Sequence, residues 1–208
     1  MMVTNMEMET WNGEQIVARI RRKYQRLLLI GISVELAILV IGILLTIRFR
    51  MPGAVIGLLL LAATIPPLFS RVPKWLHPES ADVFRKYGTP DAVAERLCQG
   101  GSEVFFDNGR LLVTEQYLLD REDPEMLLFY PNALTVYPDG VQGKDESLIV
   151  FDKWGQKLRF PFTNEQKQIV KIDILKDKVR KQSPNCRSGC HSADMEYVRQ
   201  NQISLPSK

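Results

Sequence analysis

Three cysteines in 208 residues are too few for a disulfide framework. Two histidines, His77 and His191, leave little material for imidazole chemistry. The chain has no Gly-x-Ser-x-Gly, no phosphate-cradling glycine loop, no dinucleotide fingerprint and no His-Glu-x-x-His, so the common signatures of hydrolases, nucleotide enzymes and zinc peptidases are missing. A surplus of one charge is missing too, since 27 Lys and Arg stand against 24 Asp and Glu. That balance gives no basic footprint for nucleic acid. A non-enzymatic protein without a cofactor is the expectation.

Long apolar runs are present, and they are unevenly placed. From Leu27 to Ile47 the single charge is Glu35, and from Gly53 to Phe69 there is none. About 20 helical residues cover the ~30 Å of a bilayer core, so the two runs predict two transmembrane helices, 27–47 and 53–69. The five-residue link Arg48-Phe49-Arg50-Met51-Pro52 makes them antiparallel neighbours, with Pro52 suited to the first turn of the second. A buried core hairpin is the alternative reading, but the remaining chain has too little apolar surface to wrap both helices. The first run also starts too late and is too long for a cleavable signal peptide.

Lys and Arg accumulate on cytoplasmic flanks. Arg19, Arg21, Arg22, Lys23 and Arg26 precede the first run, Arg71, Lys74, Arg85 and Lys86 follow the second, and only Arg48 and Arg50 lie between. The expectation is a cell-membrane protein with two spans and both termini cytoplasmic. The same basic cluster suits anionic headgroups at the membrane surface. Residues 1–77 carry 9 basic and 4 acidic residues, against 18 and 20 for the rest, so a membrane arm of +5 precedes a part of −2.

Glu35 is the intramembrane polar candidate, because an ionisable group at that depth is a functional-site hypothesis by default. Helix packing, contact between copies in a homo-oligomer, and pairing with a hydroxyl such as Ser33 weigh against a transport role. Gly53 and Gly57, together with Gly31 and Gly42, allow close helix packing within the chain or between copies.

Beyond a neck at 71–88 the pattern becomes that of a small α+β domain, 89–182. Thr89-Pro90-Asp91 starts a helix that stops at Gly100-Gly101. About seven strands follow: Val104–Phe106, Leu111–Thr114, Tyr117–Leu119, Met126–Tyr130, Ala133–Tyr137, Leu148–Phe151 and Leu158–Phe162. Turns are expected at Asp107-Asn108-Gly109, Asp120–Pro124 and Pro138-Asp139-Gly140. A capping box, Thr163-Asn164-Glu165-Gln166, opens a helix of about 18 residues. Its expected apolar face is Ile169, Val170, Ile172, Ile174, Leu175 and Val179; Lys167, Lys171, Lys178 and Lys181 suggest either a solvated face or a basic stripe toward the bilayer. Residues 183–208 read as a tail.

This strand order with a closing amphipathic helix matches a pleckstrin-homology-like barrel or sheet. The basic arm (1–26), the two-helix hairpin (27–70), Tyr87-Gly88-Thr89-Pro90-Asp91-Ala92-Val93-Ala94, Leu112–Leu119, and Pro184 with Gly189–Tyr197 resemble a family of uncharacterised bacterial membrane proteins with a YcxB-like, pleckstrin-homology-like cytoplasmic domain. The resemblance implies fold and location, and carries no activity.

Phosphoinositide binding in the manner of that fold is not expected, because residues 79–125 hold 11 acidic and 5 basic residues and repel phosphate. Cys186, Cys190 and His191, joined by Cys98 or His77, have the ligand types of a zinc site, but incidental cysteines are the simpler reading. Glu122, Asp123 and Glu125 read as a solvated acidic turn. The leading expectation is a membrane-anchored interaction or scaffold module that binds a protein partner. The alternative is an oligomeric transport or membrane-stress component using Glu35.

Overall fold

The apolar run at 27–47 is not a separate helix. It continues the helix of the basic arm, and α1 spans Gly13–Phe49, 37 residues or about 55 Å. The computed structural model describes residues 11–49, 69–101, 104–106, 109–141, 144–162 and 168–206. The expected second span, with Gly53 and Gly57, lies outside them. α1 is long and apolar enough to cross a membrane.

The chain divides into two units, one from Glu14 to Ala81 and a globular one formed by Asp82–Lys208 with the stretch up to Gly13. In the first, a short helix α2, Val72–Leu76, follows at the end of the expected hairpin. Ile16, Ile20 and Tyr24 on α1 are buried at a spacing of four, one helical face.

In the globular unit, α3 (Asp82–Tyr87) and α4 (Pro90–Cys98) come first. Thr89 caps α4 as expected, its hydroxyl accepting from the Ala92 amide at 3.3 Å, with Pro90 in the first turn. Among the described residues, eight strands then form two four-stranded sheets. β1 (Val104–Phe106), β2 (Leu111–Val113), β3 (Tyr117–Asp120) and β4 (Leu127–Phe129) make an antiparallel meander. β5 (Ala133–Val141), β6 (Lys144–Asp152) and β7 (Lys157–Pro161) make a second, which β8 (Arg187–Ser188) extends in parallel on β5. Helices α5 (Gln168–Gln182) and α6 (Ser192–Asn201) complete the unit.

Leu111, Val113, Leu118 and Leu128 of the first sheet share a core with Val136, Leu148, Val150, Leu158 and Phe160 of the second, closed by Ile172, Leu175 and Val179 of α5. β7 alternates buried and exposed residues, as a strand with one wet face must. β2, β3 and β4 are buried on both faces, because α3 and α4 cover the face turned away from that core. There the Tyr87 hydroxyl donates to the Leu127 carbonyl at 3.3 Å and the Tyr117 hydroxyl to the Leu97 carbonyl at 3.0 Å. Gly100 follows α4 so closely that a Cβ would sit 2.4 Å from Cε1 of Tyr117.

Several expectations shift. Pro138-Asp139-Gly140 is not a turn: β5 runs through it to Val141, with Pro138 in register opposite Leu148 and Gly140 falling in a register shift between Asp139 and Val141. Ile174, expected on the apolar face of α5, is 53% exposed; its neighbours Ile172, Leu175 and Val179 already complete the buried stripe. The Thr163–Gln166 capping box lies outside the described residues. The neck contains α2 and α3, and the segment read as a tail contains β8 and α6.

Candidate functional site

Along α1 from Gln25 to Leu44, the side chains are exposed except along one stripe: Leu27, Leu28, Gly31, Glu35 and Ile38 are half-buried and Gly42 is buried. With buried Tyr24, the spacing alternates near four and three, so the stripe is a straight helical seam. Leu29, Ile30, Ile32, Leu36 and Leu39 are among the apolar residues left open on the other faces. Apolar side chains thus lie open around most of the circumference of this stretch of α1.

Glu35 falls on the seam, in line with Gly31 and Gly42. Its Oε2 is buried and accepts no hydrogen bond among the described residues. The expected pairing with Ser33 does not form, since the Ser33 hydroxyl donates to the Leu29 carbonyl one turn back at 2.9 Å, and residues two apart face nearly opposite sides of a helix.

In the basic stretch of α1 that precedes the apolar run, Arg21, Arg22 and Arg26 are exposed, while Arg19 and Lys23 are half-buried. The Lys23 ammonium lies 5.4 Å from the Tyr24 ring centroid, and that of Lys74, from α2, lies 5.7 Å from the same ring. Tyr24 and Lys74 are 50 positions apart and flank the two apolar runs. Phe69 and Leu76 are exposed beside them at 69% and 53%.

In the globular unit a charge pair is buried between α3 and the end of β6. The Lys86 ammonium on α3 pairs with Asp152 Oδ2 at the end of β6, and both side chains are almost completely buried. Asp152 Oδ1 accepts from the Trp154 and Gln156 amides at 3.0 and 2.9 Å, and Gln156 Nε2 donates to Asp82 at 3.1 Å. The Trp154 ring lies 5.3 Å from the Lys86 ammonium and edge-on to Tyr87. Burial, reinforced by the Asp152 charge, pushes the Tyr87 phenol well above its ordinary 10.0. Every polar atom of the pair is spoken for by protein, so its chemistry is that of a latch holding α3 on the β6–β7 turn. No local pattern announces it: Lys86 looks like a helix-end cation and Asp152 like a turn residue, 66 positions apart.

The cysteine-containing segment is folded onto the second sheet. Cys186 is buried and Cys190 exposed; burial, opposed by Arg180, pushes the Cys186 thiol up to about 12. His191 begins α6, its backbone amide donating to Asp194 at 3.1 Å. Cys98 bonds the Trp11 carbonyl at the far end of α4, at 3.5 Å, and His77 approaches Glu79 at 3.3 Å. Among the described residues, no three His, Cys, Asp or Glu side chains are grouped as metal ligands. In the acidic turn, the buried Asp120 takes Arg110 through Nε and Nη2 at 3.0 and 2.8 Å. Of the α5 lysines, Lys178 is half-buried and Lys181 exposed; the side chains of Lys167 and Lys171 lie outside the described residues.

No family model matches the chain, and no curated protein or solved structure matches it either.

Proposed function

We propose that the chain is a membrane-anchored, non-enzymatic interaction module: a two-helix hairpin that holds a pleckstrin-homology-like domain at the cytoplasmic face, where a sheet edge or helix groove takes a protein partner. One observation carries the anchor. The Lys74 ammonium is 5.7 Å from the Tyr24 ring, although α1 runs from Tyr24 to Phe49, about 37 Å away at helical rise. Residues that flank the two apolar runs thus meet, as a hairpin of two spans requires. A helix is also the form in which a single returning segment satisfies its backbone in lipid. Arginine and lysine at both flanks favour a cytoplasmic position for both ends. For the domain, a four-strand meander followed by a three-strand meander and a closing helix supports the pleckstrin-homology-like and YcxB-like reading.

The exposed Cys190 tests the orientation without mutagenesis. A membrane-impermeant maleimide should leave the protein unlabelled in intact cells and label it once the membrane is opened; labelling in intact cells would overturn the orientation.

The orphaned Oε2 of Glu35, on a glycine-lined seam, keeps a second reading in play: an oligomeric transport or membrane-stress component. Packing is favoured, because intramembrane polar contacts are worth only about 0.6 kcal/mol on average and commonly serve as interhelical glue. Glu35→Gln, equal in size, is expected to leave the extracted mass and the cellular phenotype unchanged. A lost phenotype at unchanged mass would assign Glu35 to transport.

A further inference from the structure

Four arginines at the membrane flank take no part in the packing just described. Arg21, Arg22, Arg26 and Arg71 make no ion pair among the described residues; the first three are exposed and Arg71 is half-buried. An α-helix turns about 100° per residue. Measured from Tyr24, Arg21 therefore projects about 60° to one side, while Arg22 and Arg26 project about 160° to either side. Lys74 stands against the Tyr24 ring, and Arg71 is one turn before it at the start of α2. Arg22 and Arg26, one turn apart, thus share the face of α1 opposite Tyr24, with Arg21 about 100° round from Arg22, while Arg71 stands on the α2 side.

They also share one level. Residues 21–26 rise by about 7.5 Å, comparable with the ~5–8 Å of polar headgroup layer on each side of a bilayer. Phe69 and Leu76 lie exposed on the neighbouring segment, as apolar groups do where they meet the acyl boundary. From Gly13 to Pro78 the only acids are Glu14 and Glu35, and neither lies within that level.

We propose that this arginine collar binds anionic phospholipid headgroups, so that the protein gathers acidic lipid around its hairpin. The inference rests on the reading that α1 crosses the membrane, and it goes further: a topology signal needs only positive charge, whereas a collar predicts a preference among lipids. Planar guanidinium groups pair with phosphate through two parallel hydrogen bonds. The adjoining apolar side chains make a lipid, rather than a free phosphate, the fitting occupant.

The test uses the full chain reconstituted in phosphatidylcholine vesicles with trace spin-labelled phosphatidylglycerol or spin-labelled phosphatidylcholine. The relative association of the two probes is read from the motionally restricted fraction. Phosphatidylglycerol should be preferred, by up to about fivefold for each charge engaged, and the preference should shrink at about 0.5 M salt. The variant R21Q/R22Q/R26Q/R71Q should lower the ratio severalfold, leaving only the weaker pull of Arg19, Lys23 and Lys74, whereas the same four positions changed to Lys should retain most of it. Equal association of both probes with the unaltered protein would overturn the proposal, as would an undiminished preference in the Gln variant. Displacement of the lipid probe by excess glycerol phosphate would also overturn it, in favour of a soluble ligand. Cys190 labelling is read separately: a failed lipid preference with protected Cys190 removes the collar alone, and accessible Cys190 in intact cells removes the orientation beneath it.

Discussion

Asp152→Ala is expected to destabilise the globular unit by about 3–5 kcal/mol, the usual loss when one partner of a buried ion pair is removed. At this domain size that corresponds to a fall of about 10–20 °C in unfolding temperature. Three things are lost together. The Lys86 ammonium stays buried without its counter-ion, and the Trp154 and Gln156 amides lose their shared acceptor. The β6–β7 turn also loses the carboxylate that fixes its shape. Lys86→Met should be milder, because Asp152 then keeps two amide donors. Asp152→Asn can keep those amides but still leaves a buried ammonium, so adding Lys86→Met to it should raise stability above that of Asp152→Asn alone. Thermal unfolding of the full chain in detergent, followed by circular dichroism of the sheet signal, measures all four. A double variant less stable than Asp152→Asn would show that the pair is held by something other than charge.

The latch also shows what kind of information a sequence carries well. Hairpin spacing, Thr89 at a helix start and apolar stretches are local patterns, and β1 to β4, α4 and the length and apolarity of α1 were legible from them. Lys86 and Asp152 meet only because α3 lies across the end of β6, a long-range event with no local periodicity. Pro138-Asp139-Gly140 misled because its turn chemistry is strong locally, yet the ladder to β6 continues past it through a register shift; tertiary pairing overrode propensity. β8 has two residues and little pattern to detect. Of the candidate site, Glu35 and the basic flank were readable as isolated features. Their relation was not: that Glu35 shares a seam with Gly31 and Gly42 follows from continuous helical phase, and that Tyr24 meets Lys74 follows from the chain's return.

Raising the pH should unfold the globular unit well before its surface charge alone would. Burial raises the Cys186 thiol from 9.0 to about 12, and burial raises the phenols of Tyr87 and Tyr130 above their ordinary 10.0. In each case the neutral form is the one the fold accommodates, so the contribution is complete below the unfolded-state value and is lost as the pH climbs toward the folded one. Unfolded chain releases the Cys186 proton first, from about pH 9, at about 1.4 kcal/mol per pH unit. Above pH 10 the two tyrosines join it, and the slope triples to about 4 kcal/mol per unit. By pH 11 the loss is about 5 kcal/mol, as much as the whole stability of many domains. The half-buried Tyr137, also shifted upward, adds little because water screens it. Denaturant midpoints measured from pH 8 to 11 should therefore stay level to about 9, decline gently to 10 and then fall steeply, with phenolate absorbance appearing together with loss of the sheet signal. Cys186→Ala should remove the gentle limb. Tyr87→Phe should reduce the steep one by about a third, at the separate cost of its hydrogen bond to the Leu127 carbonyl. Midpoints that remain level through pH 11 would mean that these three groups ionise in the folded protein as readily as in the unfolded chain, and that the interior around Tyr130, Tyr87 and Cys186 admits water.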